Sequence, residues 1–592
     1  MVTEERVLVS TVIDAFEKAV AANPQGCAVR YQDATLTYAQ LDARSSLAAT
    51  RLLQAGARPG HTIGIQMPRG IDLIVMLLAT LKARCGFCFI SPKNPQSWNN
   101  SVIERAKVRL FITDGPLCNV TFAGHLQATD LLAPGQASLP QRPAAGDIVY
   151  VNFSSGTTGA PKIIPCTHLG VIGFCYQPPH FPAGPETVMI HHSALTFDAS
   201  QFEIWTALCN GGCLVLAPEE HLTGDTLRQL IVESGANALW LTTSLLNMLM
   251  DADPECLGGI SNIMVGGEAL SPGHIDRLYR HNPRITVYNG YGPTENTMGT
   301  CVYRIPRSHH FSRAIPIGYP VHDSRLYVAN EEGRPCAFGE EGELVIAGDG
   351  LSPGYIGDAL LTASKFRAFP LLGEERAYAS GDLVSRDEGG LFHYAGRKDD
   401  QVKIRGNRTS LSDIALAYGR HPGVANCVAA VQATPTGKRV MLYYLVKSMA
   451  TSPEEAELRE FGIISLPDFM VPDRFVQVEV LPVTAHGKID MAALEAMNEA
   501  KDRPVTSLHW LLDACGLSDW QPDQDFFQAG GHSVLAVKLV TLLNRHRKVP
   551  LSLTEFYRDC SWPRMAHLLD EVSDELSHDP EPDIYDYHII RL

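Results

Sequence analysis

Residues 147–162, Asp-Ile-Val-Tyr-Val-Asn-Phe-Ser-Ser-Gly-Thr-Thr-Gly-Ala-Pro-Lys, join a short apolar run to a loop of small, hydroxyl-bearing residues that ends on a cation. The run predicts a strand, because it is short and rich in β-branched and aromatic residues. The loop suits phosphate binding, since glycines let the backbone approach closely while hydroxyls and a lysine bind oxygens. The Gly-Lys-Ser/Thr ending of a Walker A loop is missing, and such a run alone is more often a surface loop. The candidate phosphate ligands are Ser154, Ser155, Gly156, Thr157, Thr158, Gly159 and Lys162.

On both sides of this loop, helix-like stretches alternate with short apolar runs from Thr11 to about Arg397. The helical pattern of Thr11–Ala22 precedes the strand-like Ala28–Tyr31, and alternation of this kind is typical of α/β layering. Further predicted strands are Thr187–His191, Cys213–Ala217, Ile285–Tyr288, Val424–Val431 and Arg439–Val446, with a helix at Pro453–Glu460.

The chain of 592 residues is too long for one hydrophobic core, because single cores stop growing near roughly 250 to 300 residues. We predict an α/β protein with a large two-lobed domain over residues 1–397 and a small, mobile α+β domain over 398–500. A polar linker at 501–506 then leads to a helical bundle at 507–575, whose apolar residues repeat at helical spacing. An acidic tail at 576–592 follows.

Composition excludes several classes of protein. The net charge of −16 argues against nucleic-acid binding, which draws its affinity from clustered cations. The sequence offers no secretory signal and no apolar run of the roughly 20 residues that a membrane helix needs. The 14 cysteines form no disulfide pattern, so we expect a cytoplasmic protein without a structural metal. Cys85 and Cys88 match a redox CxxC in spacing, but their apolar surroundings favour packing.

Two later segments supply groups that suit a nucleotide. Asn289-Gly-Tyr-Gly-Pro-Thr-Glu295 combines an aromatic ring for stacking on a base with a carboxylate for a hard cation. Tyr378-Ala-Ser-Gly-Asp382 offers a carboxylate for a ribose diol, and Arg397 adds a cation. Taken separately, Asp382 has an equally good interpretation as a turn residue and Arg397 as a solvated charge.

The segment Asp525-Phe-Phe-Gln-Ala-Gly-Gly-His-Ser533 ends in a serine that follows paired glycines and directly precedes the helix-like Val534–Leu543. This position predicts an exposed serine hydroxyl at the start of a helix. Ser533 fits a helix N-cap in the same position, so the two interpretations are compatible. A hydrolase nucleophile elbow is disfavoured, because the final glycine of G-x-S-x-G is missing.

In this order, the motifs resemble those of the adenylate-forming superfamily, and within it the adenylation domains of nonribosomal peptide synthetases followed by a peptidyl carrier domain. The matching segments are Leu36–Leu41, Leu81–Ala83, the loop ending at Lys162, Phe197–Ser200, Asn289–Glu295, Gly342–Leu344 with Gly354–Tyr355, Tyr378–Leu383, Gly396–Arg405, Leu466–Pro472, His486–Asp490 and the carrier motif at Ser533. Ile163, Ser380 and Thr409–Asp413 depart from the family pattern, but none of these departures removes a charged catalytic group.

The resemblance implies a role for each nucleotide-site residue. Lys162 and its loop would hold the β and γ phosphates of ATP, and Glu295 would ligate Mg²⁺. Tyr291 would stack on adenine, with Gly290 and Thr294 of the same motif also contacting the nucleotide, while Asp382 and Arg397 would hold the ribose. Further along the chain, Lys488 would bridge the substrate carboxylate and the phosphate, Asp399 would be the hinge of the small domain, and Ser533 would carry 4′-phosphopantetheine.

The resemblance also implies an amino-acid pocket in which Asp198 pairs with the substrate α-ammonium. Its predicted residues are Asp198, Ala199, Phe202, Trp240, Met264, Gly266, Gly290, Met298, Gly299 and Lys488. The beginning of this set resembles valine-activating domains, whereas Met298 and Gly299 depart from the valine pattern. Apolar Phe202, Trp240 and Met264 would favour a short branched side chain, and a charged one would lie unpaired.

The sequence therefore predicts a stand-alone loading unit that activates L-valine or a close analogue with ATP and Mg²⁺ and then loads its own carrier. Expected partners are a phosphopantetheinyl transferase and downstream condensation or tailoring enzymes, with a small activator protein as a further candidate. We expect neither nucleic acid nor a membrane among its partners. The alternatives are an acyl-CoA ligase, which would lack an aspartate in the role of Asp198, and a non-catalytic scaffold with a ligase fold.

Overall fold

The chain is built from α/β layers, which confirms the predicted fold class. The computed structural model describes residues 9–139, 141–154, 161–218, 223–308, 314–321, 323–398, 401–404, 407–434, 437–447, 453–478, 481, 494, 520, 524–529, 536, 539–540, 543–544, 551–561 and 563–565. We call described residues 9–398 the large unit, 401–494 the small unit and 520–565 the C-terminal region.

The large unit contains twenty described strands and eleven described helices. The strands are β1 Cys27–Tyr31, β2 Ala34–Thr37, β3 Thr62–Gln66, β4 Gly86–Phe89, β5 Val108–Thr113, β6 Leu126–Gln127, β7 Ile148–Ser154, β8 Lys162–Thr167, β9 Val188–His191, β10 Cys213–Leu216, β11 Ala238–Thr242, β12 Asn262–Gly266, β13 Thr286–Tyr291, β14 Cys301–Arg304, β15 Tyr319–Pro320, β16 Arg325–Ala329, β17 Gly342–Ala347, β18 Phe366–Phe369, β19 Glu374–Arg386 and β20 Phe392–Arg397. The helices are α1 Val12–Ala22, α2 Tyr38–Gln54, α3 Ile71–Lys82, α4 Gln96–Arg105, α5 Ala128–Leu132, α6 His168–Cys175, α7 Ala199–Leu208, α8 Gly224–Ser234, α9 Thr243–Ala252, α10 Pro272–His281 and α11 Ala359–Lys365.

Two mostly parallel sheets form the two lobes of the large unit. One has the order β15-β14-β13-β12-β11-β9-β10-β1-β2, and the other has the order β6-β5-β3-β4-β7-β8. In the first sheet β9, β11, β12 and β13 run parallel to one another. Their carboxyl ends therefore meet at one edge, which is where open α/β sheets bind their ligands.

A third sheet of the large unit is antiparallel and joins β16 to β20. Asp382 of β19 lies opposite Arg397 of β20 in this sheet. The small unit follows with β21 Gln401–Ile404, β22 Asn407–Ser410, α12 Leu411–Tyr418, β23 Val424–Thr434, β24 Gly437–Val446, α13 Glu455–Ser465 and β25 Arg474–Gln477. In the C-terminal region, α14 spans Leu553–Arg558.

Local sequence signals place most of these elements close to the predictions. Thr11 caps α1, because its side chain accepts the N–H of Asp14 while the Asp14 carboxylate accepts the N–H of Thr11. The helix predicted at Pro453–Glu460 instead spans Glu455–Ser465. The strand predicted at Ile285–Tyr288 extends to Tyr291, because residues 288–291 pair with β14.

Two features of the fold bear on the composition arguments. Cys85 and Cys88 are buried, and burial raises the pKa of each thiol to about 12, as expected for packing residues. Among the described residues, no helix combines the length and the apolar character needed to cross a membrane.

The helical bundle predicted for the C-terminal region lies mostly outside the described residues. Within it, Ala536, Leu539, Val540 and Leu543 are buried at the spacing of one helix face. They belong to an apolar cluster that continues into the large unit, where it includes Leu245 and other residues of α9.

Candidate active site

The candidate site lies at the carboxyl edge of the first sheet, between the two lobes. Trp240, Met264 and Tyr288 are register neighbours on β11, β12 and β13. Asp198 directly precedes α7, which follows β9 in the chain. Parallel pairing therefore brings residues from distant parts of the sequence to one place.

One cavity contains most of the predicted amino-acid pocket. It is lined by Asp198, Ala199, Phe202, Trp240, Met264, Gly290, Met298 and Gly299. Gly266 pairs with Gly290 across β12 and β13 but does not line the cavity. Lys488 lies outside the described residues.

Asp198 brings a carboxylate into this cavity, next to the apolar side chains of the predicted pocket. The side chain is 9% exposed, and its Oδ2 accepts a hydrogen bond from the Thr294 hydroxyl at 2.7 Å. Burial raises the pKa of Asp198, whereas the Thr294 hydrogen bond and the charge of Lys403 oppose that rise. A cation bound beside Asp198 would relieve the cost of burying this charge.

Aromatic rings pack around the apolar side of the cavity. The Phe202 ring lies 5.9 Å from the Trp240 ring and 5.3 Å from the Phe181 ring, both in edge-on geometry. Phe174 also lines the cavity, with its ring 5.6 Å from that of Phe202. No sequence motif indicated Phe174, which reaches the cavity from α6.

A buried polar cluster of Glu203, His191 and Ser193 joins α7 to the end of β9 and the residues after it. The Glu203 carboxylate lies 2.6 Å from His191 Nδ1 and accepts the Ser193 hydroxyl at 2.6 Å. Burial raises the pKa of Glu203 and lowers the pKa of His191. This cluster ties α7 to the segment after β9 and so holds Asp198 in position.

Three residues predicted to contact the nucleotide meet next to the cavity. Arg397 Nη1 donates to Asp382 Oδ1 at 2.6 Å, and the Tyr291 hydroxyl donates to Asp382 Oδ2. The Arg397 and Asp382 side chains are 12% and 8% exposed. Burial and the neighbouring carboxylate raise the pKa of Tyr291, so its hydroxyl stays a donor.

The phosphate-binding loop is described only at its two ends. Ser154 ends β7 and lines the cavity, while Lys162 begins β8 and pairs with Ser154 in register. Lys162 is 8% exposed. Ser155, Gly156, Thr157, Thr158 and Gly159 lie outside the described residues.

Glu295 lies in a short 3₁₀ turn, Thr294–Asn296, beside the cavity. The residue is buried, and its Oε1 accepts the Tyr355 hydroxyl at 2.8 Å. Its negative charge contributes to the raised pKa of Asp198. In the part of the chain that the structure describes, no group of three or more His, Cys, Asp or Glu side chains is arranged to hold a metal ion.

The small unit contributes residues to the cavity that were not predicted from the sequence. Lys403 and Asn407, on the hairpin formed by β21 and β22, line it together with Phe469. Lys403 Nζ lies 5.6 Å from the centroid of the Tyr291 ring. Lys403 belongs to the motif at 396–405, in which roles were predicted only for Arg397 and Asp399. Asp399 lies outside the described residues.

A wider cleft opens from the cavity toward the C-terminal region. Its lining includes Arg69 and His192 of the large unit, Arg459 and Ile463 of the small unit and Phe527 of the C-terminal region. Five residues line both spaces, so the two are continuous: Phe153, Thr196, Phe197, Asn407 and Phe469. The Phe527 ring stacks on the Tyr557 ring. The sequence motif that contains Phe527 ends at Ser533, which lies outside the described residues.

Comparison with known protein families gives three matches along the chain. The model for AMP-binding enzymes matches residues 16–356, and the model for their C-terminal domain matches residues 413–488. The model for a phosphopantetheine attachment site matches residues 511–564.

The chain is similar to parts of much longer curated proteins. It is 32% identical over 568 residues to tyrocidine synthase 3 of Brevibacillus parabrevis, covering 92% of this chain and 9% of that protein. It is 30% identical over 557 residues to surfactin synthase subunit 3 of Bacillus subtilis, covering 90% of this chain and 43% of that protein. The chain thus spans less than half the length of these curated relatives.

Solved structures include two-domain proteins of nearly the same extent. Holo-PA1221, described as an NRPS protein containing adenylation and PCP domains bound to a vinylsulfonamide inhibitor, is 34% identical with a TM-score of 0.83. The match covers 97% of this chain and 98% of that one. The artificially fused adenylation–PCP protein NpsA-ThdA from Klebsiella oxytoca is 25% identical with a TM-score of 0.72, covering 83% and 95%.

Proposed function

Because the chain belongs to the AMP-binding enzymes, and within them to the nonribosomal peptide synthetase proteins that join an adenylation domain to a carrier domain, we propose that it activates an amino acid with ATP and loads it onto its own carrier. Membership in this family makes it an AMP-forming ligase that uses ATP and phosphopantetheine, as the sequence predicted. The substrate, the partners and the role of each site residue are proposals.

The observation that carries the proposal is the buried carboxylate of Asp198, which shares one cavity with the apolar side chains of the predicted pocket and lies next to the cluster of Tyr291, Asp382 and Arg397. An amino acid would place its α-ammonium on Asp198 and its carboxylate toward the nucleotide cluster. The acyl-CoA ligase alternative is less favoured, because a fatty or aryl acid has no cation to offer this aspartate.

Adenylation would require two anions to approach each other. A carboxylate oxygen of the amino acid attacks the α-phosphorus, and the bond from that phosphorus to the α,β-bridging oxygen breaks, so pyrophosphate leaves with the electron pair. Catalysis of such a step consists mostly of positioning and of cations placed against the phosphates. We assign Lys162 and its loop to the β and γ phosphates, Asp382 and Arg397 to the ribose, and Lys488 to the carboxylate and α-phosphate.

Glu295 is suited to Mg²⁺, because proteins usually hold this ion through one or two carboxylates together with substrate phosphates. When bound, the ion would neutralise charge on the phosphate oxygens. The Tyr355 hydroxyl would fix the Glu295 carboxylate in place for this role.

Thioester formation would follow through the cleft that leads from Phe527 to the cavity. Phosphopantetheine on Ser533 would supply the thiol that accepts the aminoacyl group and displaces AMP. The position of Lys403 and Asn407 at the cavity supports this second step, because the small unit presents its hairpin to the active site. We propose that rotation about Asp399 exchanges this arrangement for one in which Lys488 acts in adenylation.

A small aliphatic amino acid, best L-valine, is the proposed substrate. Phe202, Trp240 and Met264 line the cavity with apolar surface, which a short branched side chain would cover without leaving a polar group unpaired. One methylene changes selectivity by about 10- to 200-fold, so isoleucine, 2-aminobutyrate and leucine are expected as weaker substrates.

Exchange of labelled pyrophosphate into ATP across a panel of amino acids tests the proposal. We expect the highest kcat/KM for valine and none above background for charged amino acids. Absence of exchange with every aliphatic amino acid would refute the specificity, and release of free acyl-CoA would favour the acyl-CoA ligase. Exchange at background level with every amino acid in the panel would favour the non-catalytic scaffold, whereas unchanged exchange in Lys488→Ala would refute the role assigned to Lys488.

The proposed partners are a phosphopantetheinyl transferase and condensation or tailoring enzymes that accept the loaded amino acid. A small activator protein and a cytoplasmic location stay predictions.

A further inference from the structure

We propose that Phe174, which is outside the set predicted for the pocket, forms an apolar wall of the amino-acid cavity and determines which substrate side chains fit. This inference rests on the proposed function, since it concerns the specificity of the same site. The packing of α6 against the turn at residues 297–299 supports it.

The Phe174 ring is held on two sides. It is 4% exposed, lines the cavity and lies 5.6 Å from the ring of Phe202. On another side it stacks on the imidazole of His180, with ring centroids 4.7 Å apart and planes tilted by 28°. Two contacts of this kind leave a buried ring few alternative rotamers.

Gly299 lies against a space that the Phe174 ring already fills. A β-carbon at position 299 would lie 2.0 Å from Cε2 and 2.2 Å from Cζ of Phe174, whereas carbon atoms prefer separations of about 3.5–4.0 Å. The ring of residue 174 therefore occupies the volume that a side chain at residue 299 would take. This accounts for the departure at Gly299, because the apolar wall is supplied from α6 instead.

A second close contact seats α6 against the same turn. Gly170 lies one helical turn before Phe174, and a β-carbon there would come within 2.5 Å of Thr297 Oγ1. That hydroxyl donates to the carbonyl oxygen of Gly350 at 2.7 Å. Thr297 and Met298 have φ values of 46° and 69°, so the turn adopts a left-handed conformation that its packing must hold in place. The helix therefore packs closely on the turn at both Gly170 and Gly299, and this packing sets the position of the Phe174 ring at the cavity.

Truncating this ring should deepen the cavity and change the ranking of substrates. In Phe174→Ala and the milder Phe174→Leu, we expect the ratio of kcat/KM for leucine to that for valine to rise about tenfold or more. The rise should appear mainly as a lower KM for leucine. Phe181→Leu is the matched control, because Phe181 also packs on Phe202 but does not line the cavity.

Gly299→Ala supplies the reciprocal test. Alone, it should lower kcat/KM for valine by about tenfold or more, because its methyl group displaces the ring. Combined with Phe174→Leu it should recover much of that loss, since the smaller side chain leaves room for the methyl group. Two sites that do not share a volume would give losses that simply add.

Pyrophosphate exchange with valine, leucine and phenylalanine, run on the full chain and all variants, decides the matter. A raised leucine-to-valine ratio in both Phe174 variants, an unchanged ratio in Phe181→Leu and recovery in the double variant support the proposal. The same ratio in wild type and in folded Phe174 variants, or additive losses in the double variant, overturns it while the proposed function stands. Lack of exchange with any amino acid in the wild type overturns the proposed function and this inference with it.

Discussion

Replacement of Asp198 by asparagine removes the charge proposed to pair with the substrate while keeping the shape of the side chain. The Thr294 hydroxyl can still donate to the amide oxygen, so the local hydrogen bond survives. The substitution removes the negative charge that would pair with the substrate α-ammonium. Because Asp198 is only 9% exposed, water cannot easily replace that charge. Leaving one member of a buried ion pair unpaired costs roughly 3–5 kcal/mol.

That cost corresponds to a loss of about 150- to 5,000-fold in kcat/KM for valine, at 1.36 kcal/mol per factor of ten. The assay is pyrophosphate exchange with valine and, in parallel, with 3-methylbutanoate, which has the same branched end but no amine. We expect Asp198→Asn to lower exchange with valine steeply and to leave exchange with 3-methylbutanoate unchanged or higher. A loss of less than tenfold with valine, or an equal loss with both acids, would refute the assigned role of Asp198.

Three further predictions follow from the same geometry. Asp382→Ala should raise KM for ATP by about 10- to 150-fold, because hydrogen bonds to charged groups contribute roughly 1.5–3 kcal/mol; an unchanged KM in exchange assays at varied ATP would exclude the ribose role. Lys403→Ala should slow loading of the carrier while leaving pyrophosphate exchange nearly intact, and equal loss in both assays would place Lys403 in adenylation instead. Burial lowers the pKa of His168 to about 4, against smaller opposing effects of Asp147 and Asp14, and its Nδ1 accepts the N–H of Val12 at 3.1 Å. The neutral ring is therefore favoured in the folded state, so the free energy of unfolding should fall by about 3 kcal/mol as pH drops from about 6.5 to about 4. Urea titrations of the full chain should show a shallower pH dependence in His168→Asn than in the wild type, and parallel curves would contradict this.

Local patterns predicted the elements that depend on neighbours in sequence. Thr11 and Asp14 indicate the start of α1, and the apolar run at 147–153 coincides closely with β7. Lys82 ends α3 shortly before the buried strand β4, as the run around Cys85 indicated.

Contacts between segments that are far apart in the chain could not be predicted from the sequence. Phe174 reaches the cavity because α6 packs on α7 and on β7 and β8 of the second sheet, and Lys403 reaches it because the hairpin of β21 and β22 lies against β7. No spacing in the chain encodes either approach. The sulfurs of Cys27 and Cys213 lie 3.4 Å apart because β1 pairs with β10, a proximity that their distance in the sequence does not indicate.

Burial also changed the meaning of residues that were recognised. Asp382 and Arg397 were equally compatible with a turn residue and a solvated charge. Pairing of β19 with β20 instead makes them a largely buried ion pair that also binds the Tyr291 hydroxyl. The sequence contains the residues of the nucleotide cluster, whereas their mutual hydrogen bonds depend on sheet register.

A measurement of the intact mass of the full chain reports activation and carrier loading together. The protein is first incubated with a phosphopantetheinyl transferase, ATP, Mg²⁺ and an equimolar mixture of amino acids. Ser533→Ala, treated in the same way, is the control. We predict a pantetheinylated wild-type protein that gains the mass of one valyl group, and no gain in the control. A pantetheinylated protein that never gains an aminoacyl group, or an aminoacyl gain that persists in Ser533→Ala, would contradict the proposed activation and self-loading.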